Sequence, residues 1–102
     1  MGIYVALRTE RGEEVASVSD TRNILHDLLP QPYTDSNSML DWIDWYGNTM
    51  FNHVQMKRLL EEWDGLSEHV RKPEGKALLA SIRGLAERCQ AEGTLYLWFT
   101  GD

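Results

Sequence analysis

A two-layer α+β domain is what this sequence predicts: a small, mostly antiparallel sheet, formed by an N-terminal hairpin plus a C-terminal strand, packed against about three helices. Three observations lead there. Apolar residues alternate at both ends of the chain, as Ile3, Val5 and Leu7 and again as Leu95, Leu97 and Phe99, which is the period of a pleated strand. Two long internal stretches, Met56 to Val70 and Leu78 to Cys89, carry apolar residues at helical spacing. The 102 residues suffice for one core, so 1–102 is read as a single globular domain.

Taken in order, Gly2 to Glu10 reads as a strand and Glu10-Arg11-Gly12 as a turn, with Gly12 able to take a positive φ. Glu13 to Val18 returns as a weak second strand whose charges suit an edge. Ser19-Asp20-Thr21 reads as a helix start, and Ile24, Leu25, Leu28 and Leu29 as the apolar stripe behind it. Pro30 and Pro32 close that helix. Met39 to Tyr46 fits either a helix capped by Ser38 and Asp41 or a short strand running into a turn at Gly47-Asn48. The strand and turn are favoured here. Asn52 with Gln55 forms a capping box, and Met56, Leu59, Leu60, Trp63, Leu66 and Val70 make the clearest helical stripe in the chain. Pro73 suits a first helical turn. The helix from Lys76 to Glu92 buries Leu78, Leu79, Ile82, Leu85, Ala86 and Cys89, and Gly93 caps it. Thr94 to Thr100 is the closing strand. Placing it beside the first strand turns Ile3, Val5, Leu7, Leu95, Leu97 and Phe99 toward the helices.

Charge is unevenly placed. The chain has 16 acidic and 10 basic residues, net −6, with a sequence pI near 4.9. Residues 35–64 alone hold net −4, and no Lys or Arg lies between Asn23 and Met56. Half the aromatic residues (Tyr33, Trp42, Trp45, Tyr46 and Phe51) fall in that base-free span. The acid excess argues against nucleic acid as a partner. No apolar run reaches the ~20 residues of a membrane helix and no leader pattern is visible, so no membrane association is expected. A single cysteine suits a cytoplasmic location.

No catalytic residues and no cofactor are expected. The sequence lacks a phosphate-binding glycine loop, Cys-x-x-Cys and His-Glu-x-x-His. Cys89 falls on an apolar stripe and reads as a buried structural thiol. His26, His53 and His69 share no metal-ligand spacing, so no metal is assigned; a site would need the fold to gather His26, His53 and Asp41 or Asp44. Asp41 with Asp44 and Glu61 with Glu62 are paired carboxylates, but adjacent helical glutamates diverge by ~100° and serve solubility.

Three surfaces are candidates for a partner. The first is an acidic aromatic segment, Asp35, Asp41, Trp42, Asp44, Trp45 and Tyr46, where aromatic anchors and one sign of charge suit a basic protein. The second is the small-residue side of the long helix, Ala77, Ala80, Gly84 and Ala91, where close approach would allow sandwiching or a homodimer. The third is the sheet face carrying Tyr4, Tyr96 and Trp98, which residues 31–48 are expected to cover.

The run Ile43-Asp44-Trp45-Tyr46-Gly47-Asn48-Thr49-Met50-Phe51-Asn52, followed by Gln55-Met56 and a charged helix, resembles a family of small bacterial proteins with an Ile-Asp-Pro-Tyr-Gly-Asp-Thr-x-Phe-Asn pattern. The ending Leu95 to Asp102 is similar to the close of the same proteins. Trp45 stands where that pattern has proline. The resemblance implies a bacterial cytoplasmic protein and supplies no activity. In size, acidity and aromatic content the chain is also similar to bacterial immunity proteins, which cover the basic cleft of a toxin. The expected function is therefore a non-enzymatic interaction protein, immunity-like or antitoxin-like, with a small structural or regulatory homodimer as the alternative and a metal protein or minor enzyme behind both.

Overall fold

The computed structural model describes residues 2–30 and 38–101, and in it the two alternating ends of the chain meet. β1 (Tyr4–Thr9) and β4 (Leu95–Thr100) pair antiparallel over their full length, from Tyr4 opposite Thr100 to Thr9 opposite Leu95. β2 (Glu14–Ser19) returns along the other side of β1, and β3 (Asn48–Phe51) lies along the other side of β4. The result is a four-stranded antiparallel sheet in the order β2-β1-β4-β3. With the helices it makes a small α+β fold, as the sequence predicts.

The β1–β2 turn is closed by Thr9, whose N–H donates to Glu13 O at 2.9 Å and whose Oγ1 accepts from Glu13 N–H at 3.1 Å. Gly12 sits there at φ 88°, a left-handed value that glycine adopts without strain. A register shift between Leu7 and Arg8 bulges this hairpin.

One face of the sheet carries the core. Ile3, Val5, Leu7, Leu95, Leu97 and Phe99 are all buried against α2 (Met56–Ser67) and α3 (Pro73–Glu92). The predicted stripe of α2 is the buried one: Met56, Leu59, Leu60, Trp63 and the following Val70 are inside. Trp63 packs on Phe99 with ring centroids 6.2 Å apart, and its indole N–H donates to Leu79 O at 3.0 Å. Burial of a ring that size requires its one polar atom to be satisfied, and the carbonyl of the facing helix does it. Outside, Arg83 of α3 grips Asp64 of α2 with two bonds, Nε–Oδ1 at 2.7 Å and Nη2–Oδ2 at 3.2 Å. That guanidinium holds the Asp64 carboxyl below its ordinary range.

The capping box is present as read: Asn52 Oδ1 accepts from Gln55 N–H at 3.1 Å and Gln55 Oε1 accepts from Asn52 N–H at 2.8 Å. It starts a short 3-10 turn, His53–Gln55, that runs into α2. Pro73 is at the first position of α3, and Gly93 ends it at φ 62°.

Three elements differ from the sequence reading. Ser19 belongs to β2, and the helix behind it, α1 (Leu25–Leu28), is a single turn. Asp20 still caps it, accepting from Ile24 N–H at 2.9 Å and Leu25 N–H at 2.7 Å from a buried position. The strand takes the residues before Asp20 and Pro30 forces Leu29 into extended backbone, so little length remains for a helix. Second, the strand favoured for residues 39–47 is a 3-10 turn, Met39–Trp42, followed by extended chain. The deciding contact comes from α2. Glu62 Oε1 accepts from Ser38 Oγ at 2.6 Å and from Leu40 N–H at 3.3 Å, while Ser38 Oγ itself accepts from Leu40 N–H at 3.2 Å. Third, the sheet gains β3, a strand the sequence does not predict. Four residues with one buried apolar side chain carry too little alternation to be seen.

Burial pushes the Glu62 carboxyl up, but hydrogen bonds from Ser38, Met39, Arg58 and Leu40 outweigh it and hold the group below its usual value of 4.5. A carboxyl depressed in the folded state stabilises the fold fully above its unfolded pKa and loses that contribution as pH falls through the folded one. Glu62→Gln is therefore expected to destabilise the protein by about 1–3 kcal/mol at pH 7. The difference from wild type should shrink below pH ~4.5, read from urea unfolding midpoints across that range.

Candidate functional site

The stretch from Ser38 to Phe51 is built from the core outward. Met39, Leu40 and Ile43 are buried in the main cluster, which pins the segment to the helix side of the sheet. Thr49, on the helix-facing side of β3, then ties the strand to it: Oγ1 accepts from Asp44 N–H at 2.9 Å and donates to Trp42 O at 3.3 Å. Asp44 turns the chain back, its Oδ1 accepting from Tyr46 N–H at 2.9 Å. Gly47 and Gly101 finish the closure. Gly101 N–H donates to Gly47 O at 2.6 Å, and a Cβ on Gly101 would strike the Trp45 carbonyl. A Cβ on Gly47 would fall 2.6 Å from Asp44 Oδ2.

This arrangement divides the predicted acidic aromatic set. Trp42 and Tyr46 are 60% and 77% exposed. Asp41, expected at the surface, is buried at 3% exposure; it lies on the core side of the 3-10 turn and is withdrawn from any contact set. Asp44 and Trp45 are half-buried. The carboxylate of Asp44 is engaged in the turn, and Trp45 packs on the core and on His26, with rings 4.6 Å apart. Asp35 lies outside the described residues. Sequence reading missed two members of the exposed set, Met50 and Val54, at 49% and 73% exposure. Among the described residues, four of the five exposed large hydrophobic side chains thus lie on β3 or close to it in sequence, the other being Val15 on β2. Their shared spacing of four residues (Trp42, Tyr46, Met50, Val54) is present in the sequence, but it crosses three kinds of element, so no single period ties the four together.

The other candidates resolve differently. Ala77, Ala80, Gly84 and Ala91 are all exposed, and a Cβ on Gly84 would meet nothing within 4 Å. No segment among the described residues sandwiches that face. The close approach on α3 is instead at Gly75, where a Cβ would fall 2.8 Å from Val70 Cγ1. Tyr4, Tyr96 and Trp98 are half-buried on the sheet face away from the helices. Of the expected cover, residues 31–48, the part 31–37 lies outside the described residues, and Met39, Leu40 and Ile43 of the rest are buried on the helix side of the sheet. Neighbours in the sheet shield the rings: the Arg8 guanidinium lies 5.1 Å from the Trp98 ring centroid, and Glu14 accepts from Tyr4 OH at 2.8–2.9 Å.

Cys89 is buried, its Sγ donating to Leu95 O at 3.3 Å. Burial pushes its thiol up to about 11, against a smaller opposing hydrogen bond from Leu97. A thiol so placed is unreactive at neutral pH. His53 and His69 are exposed, and His26 packs against the Trp45 ring. Among the described residues no three His, Cys, Asp or Glu side chains gather in a way that could hold a metal. Of the glutamate pair, Glu61 is exposed and Glu62 is held by the Ser38 turn. A cavity of about 490 Å³ between α1 and the start of α3 mixes Arg22, Arg71 and Lys72 with Asp27 and Glu74, so it presents no single charge. No helix among the described residues is long and apolar enough to cross a membrane.

Comparison of the chain with known protein families, curated proteins and solved structures finds no match.

Two substitutions check these placements. Gly101→Ala drives a methyl group into the Trp45 carbonyl and should destabilise by about 2 kcal/mol or more, read as a lowered thermal midpoint with altered tryptophan fluorescence. Gly84→Ala, at an open mid-helix position, should stabilise by about 0.5–1 kcal/mol in chemical denaturation.

Proposed function

We propose that this protein is a binding protein that docks a protein partner on the surface around β3, with Trp42 and Tyr46 as the anchors. The observation that carries this reading is the concentration of exposed Trp42, Tyr46, Met50 and Val54 on and next to one strand, while the other large apolar side chains among the described residues are mostly buried. Such clusters on soluble proteins mark interaction sites. Aromatic anchors with few rotatable bonds lose little entropy on docking and supply most of the binding energy.

The partner we propose carries positive charge, because a net −6 chain attracts it at long range. Burial of Asp41 and the engagement of Asp44 shift the weight from local ion pairs to that general field and to apolar contact. An immunity-like inhibitor that covers a basic cleft is the specific form this takes, in the bacterial cytoplasm that the Ile43–Asn52 resemblance implies. A homodimeric structural protein is the second reading, favoured by the unguarded edge of β3 described below.

The test is affinity capture from cells of the native host with two baits, wild type and the Trp42→Ser/Tyr46→Ser double variant. Both positions are exposed, so the variant should fold with an unchanged thermal midpoint. A protein retained by wild type should be lost, or weakened at least about 100-fold, on the variant, and its retention should fall with added salt. Equal retention on both baits would remove this surface as the docking site.

A further inference from the structure

We propose that the free edge of β3 pairs antiparallel with the same strand of a second copy, joining two sheets into one of eight strands. This rests on the reading of the β3 surface as a docking site and, in place of a basic partner, names a second copy of this chain as its occupant.

The hydrogen-bonding phase of β3 shows what is on offer. Gly101 N–H bonds Gly47 O, and registers two residues apart repeat the pattern, so Thr49 and Phe51 bond β4. Asn48 and Met50 therefore direct their N–H and C=O groups to the outer edge. No other described strand pairs there. The side chains of Asn48 and Met50 lie on the face away from the helices, with Met50 beside Trp98 of β4.

The two edges of the sheet are treated differently. β2 has Glu13 and Glu14 at its start and a bulge in its pairing with β1, both devices that block edge-to-edge pairing. β3 reads Asn-Thr-Met-Phe, with no charge, no proline and no shift in its register with β4. It is also self-complementary. With Asn48 opposite Met50 of the second copy, the outward groups exchange four main-chain bonds about a twofold axis through Thr49. Trp42 and Tyr46 precede the strand and Val54 follows it, so each copy brings the same apolar flanks to the seam.

The area is enough for a weak dimer. Full exposure of an aromatic side chain is worth about 150–250 Å². At the observed exposures of Trp42, Tyr46, Met50 and Val54, the four side chains offer roughly 400–500 Å² per copy. Two copies together offer roughly 800–1,000 Å², the size of a weak, transient interface. The charge of −6 on each copy opposes association, so added salt should tighten the dimer. That is the reverse of the salt response expected for a basic partner at the same surface.

Sedimentation equilibrium of the full chain tests this. The wild type should move from one chain toward two between about 1 and 500 μM, more readily at high salt. Met50→Pro removes only an outward N–H, and Met50→Lys adds a charge to an exposed position; each should weaken dimerisation at least tenfold or abolish it. If the proline variant fails to fold, the lysine variant decides. Amide exchange at Asn48 and Met50 should slow with concentration in wild type and stay fast in Met50→Lys. A wild type that remains one chain at every concentration overturns the proposal. So does a dimer unaffected by both folded Met50 variants, and its loss in Gly84→Glu would then place the contact on α3. A monomeric wild type whose captured partner is still lost on Trp42→Ser/Tyr46→Ser ends the self-pairing and leaves the docking reading standing.

Discussion

The pairing of β1 with β4 is the constraint on which the other elements depend. It joins the two ends of the described chain along six residue pairs, Tyr4 to Thr100 through Thr9 to Leu95. β2 and β3 extend the pair within the sheet, and the helices lie on one face. That face is where Ile3, Val5, Leu7, Leu95, Leu97 and Phe99 point, and where α2 and α3 must bury their stripes. Closing so long a loop is entropically unfavourable, so the pairing persists only because the helices cover it. Trp63 shows the mutual dependence: its ring rests on Phe99 of β4, and its N–H is satisfied by α3.

How much of this was legible follows from the length of each signal. α2 and α3 carry their period over three turns or more, and the sequence showed both with their caps. β1 and β4 alternate over six residues and could be paired from pattern alone. The misreadings are all short. α1 is one turn, the Met39–Trp42 element is one 3-10 turn, and β3 has four residues. None of these is long enough for its own period to decide its form. Their shapes are set by contacts from elsewhere: Asp20 on the Ile24 and Leu25 amides, Glu62 on Ser38 and Leu40, and Gly47 on Gly101. Tertiary hydrogen bonds of this kind leave no mark within the segment they shape.

The same reason accounts for the divided site. In the sequence, Asp41, Trp42, Asp44, Trp45 and Tyr46 form one acidic aromatic cluster. A 3-10 turn separates neighbouring side chains by about a third of a circle, so Asp41 and Trp42 part, the first inward and the second to solvent. Asp44 then spends its carboxylate on the turn that exposes Tyr46. Asp44 thus holds the exposed Tyr46 in position through its backbone. A surface read from composition as charged becomes, once folded, an apolar one supported by charge.

That change bears on the edge of the sheet. An uncharged four-residue strand at a sheet edge is a liability, because its outward amides template further pairing. β2 carries protection against this and β3 does not, although a lysine at exposed position 50 would supply it without touching the core. Met50, with Trp42 and Tyr46 close in sequence and Val54 beyond, makes the edge more adhesive. Leaving polar groups of the backbone and apolar side chains together at the surface gains nothing for the isolated fold. Their coincidence on one strand, opposite an edge that is guarded, is best accounted for by an occupant that uses both the main-chain bonds and the apolar flanks.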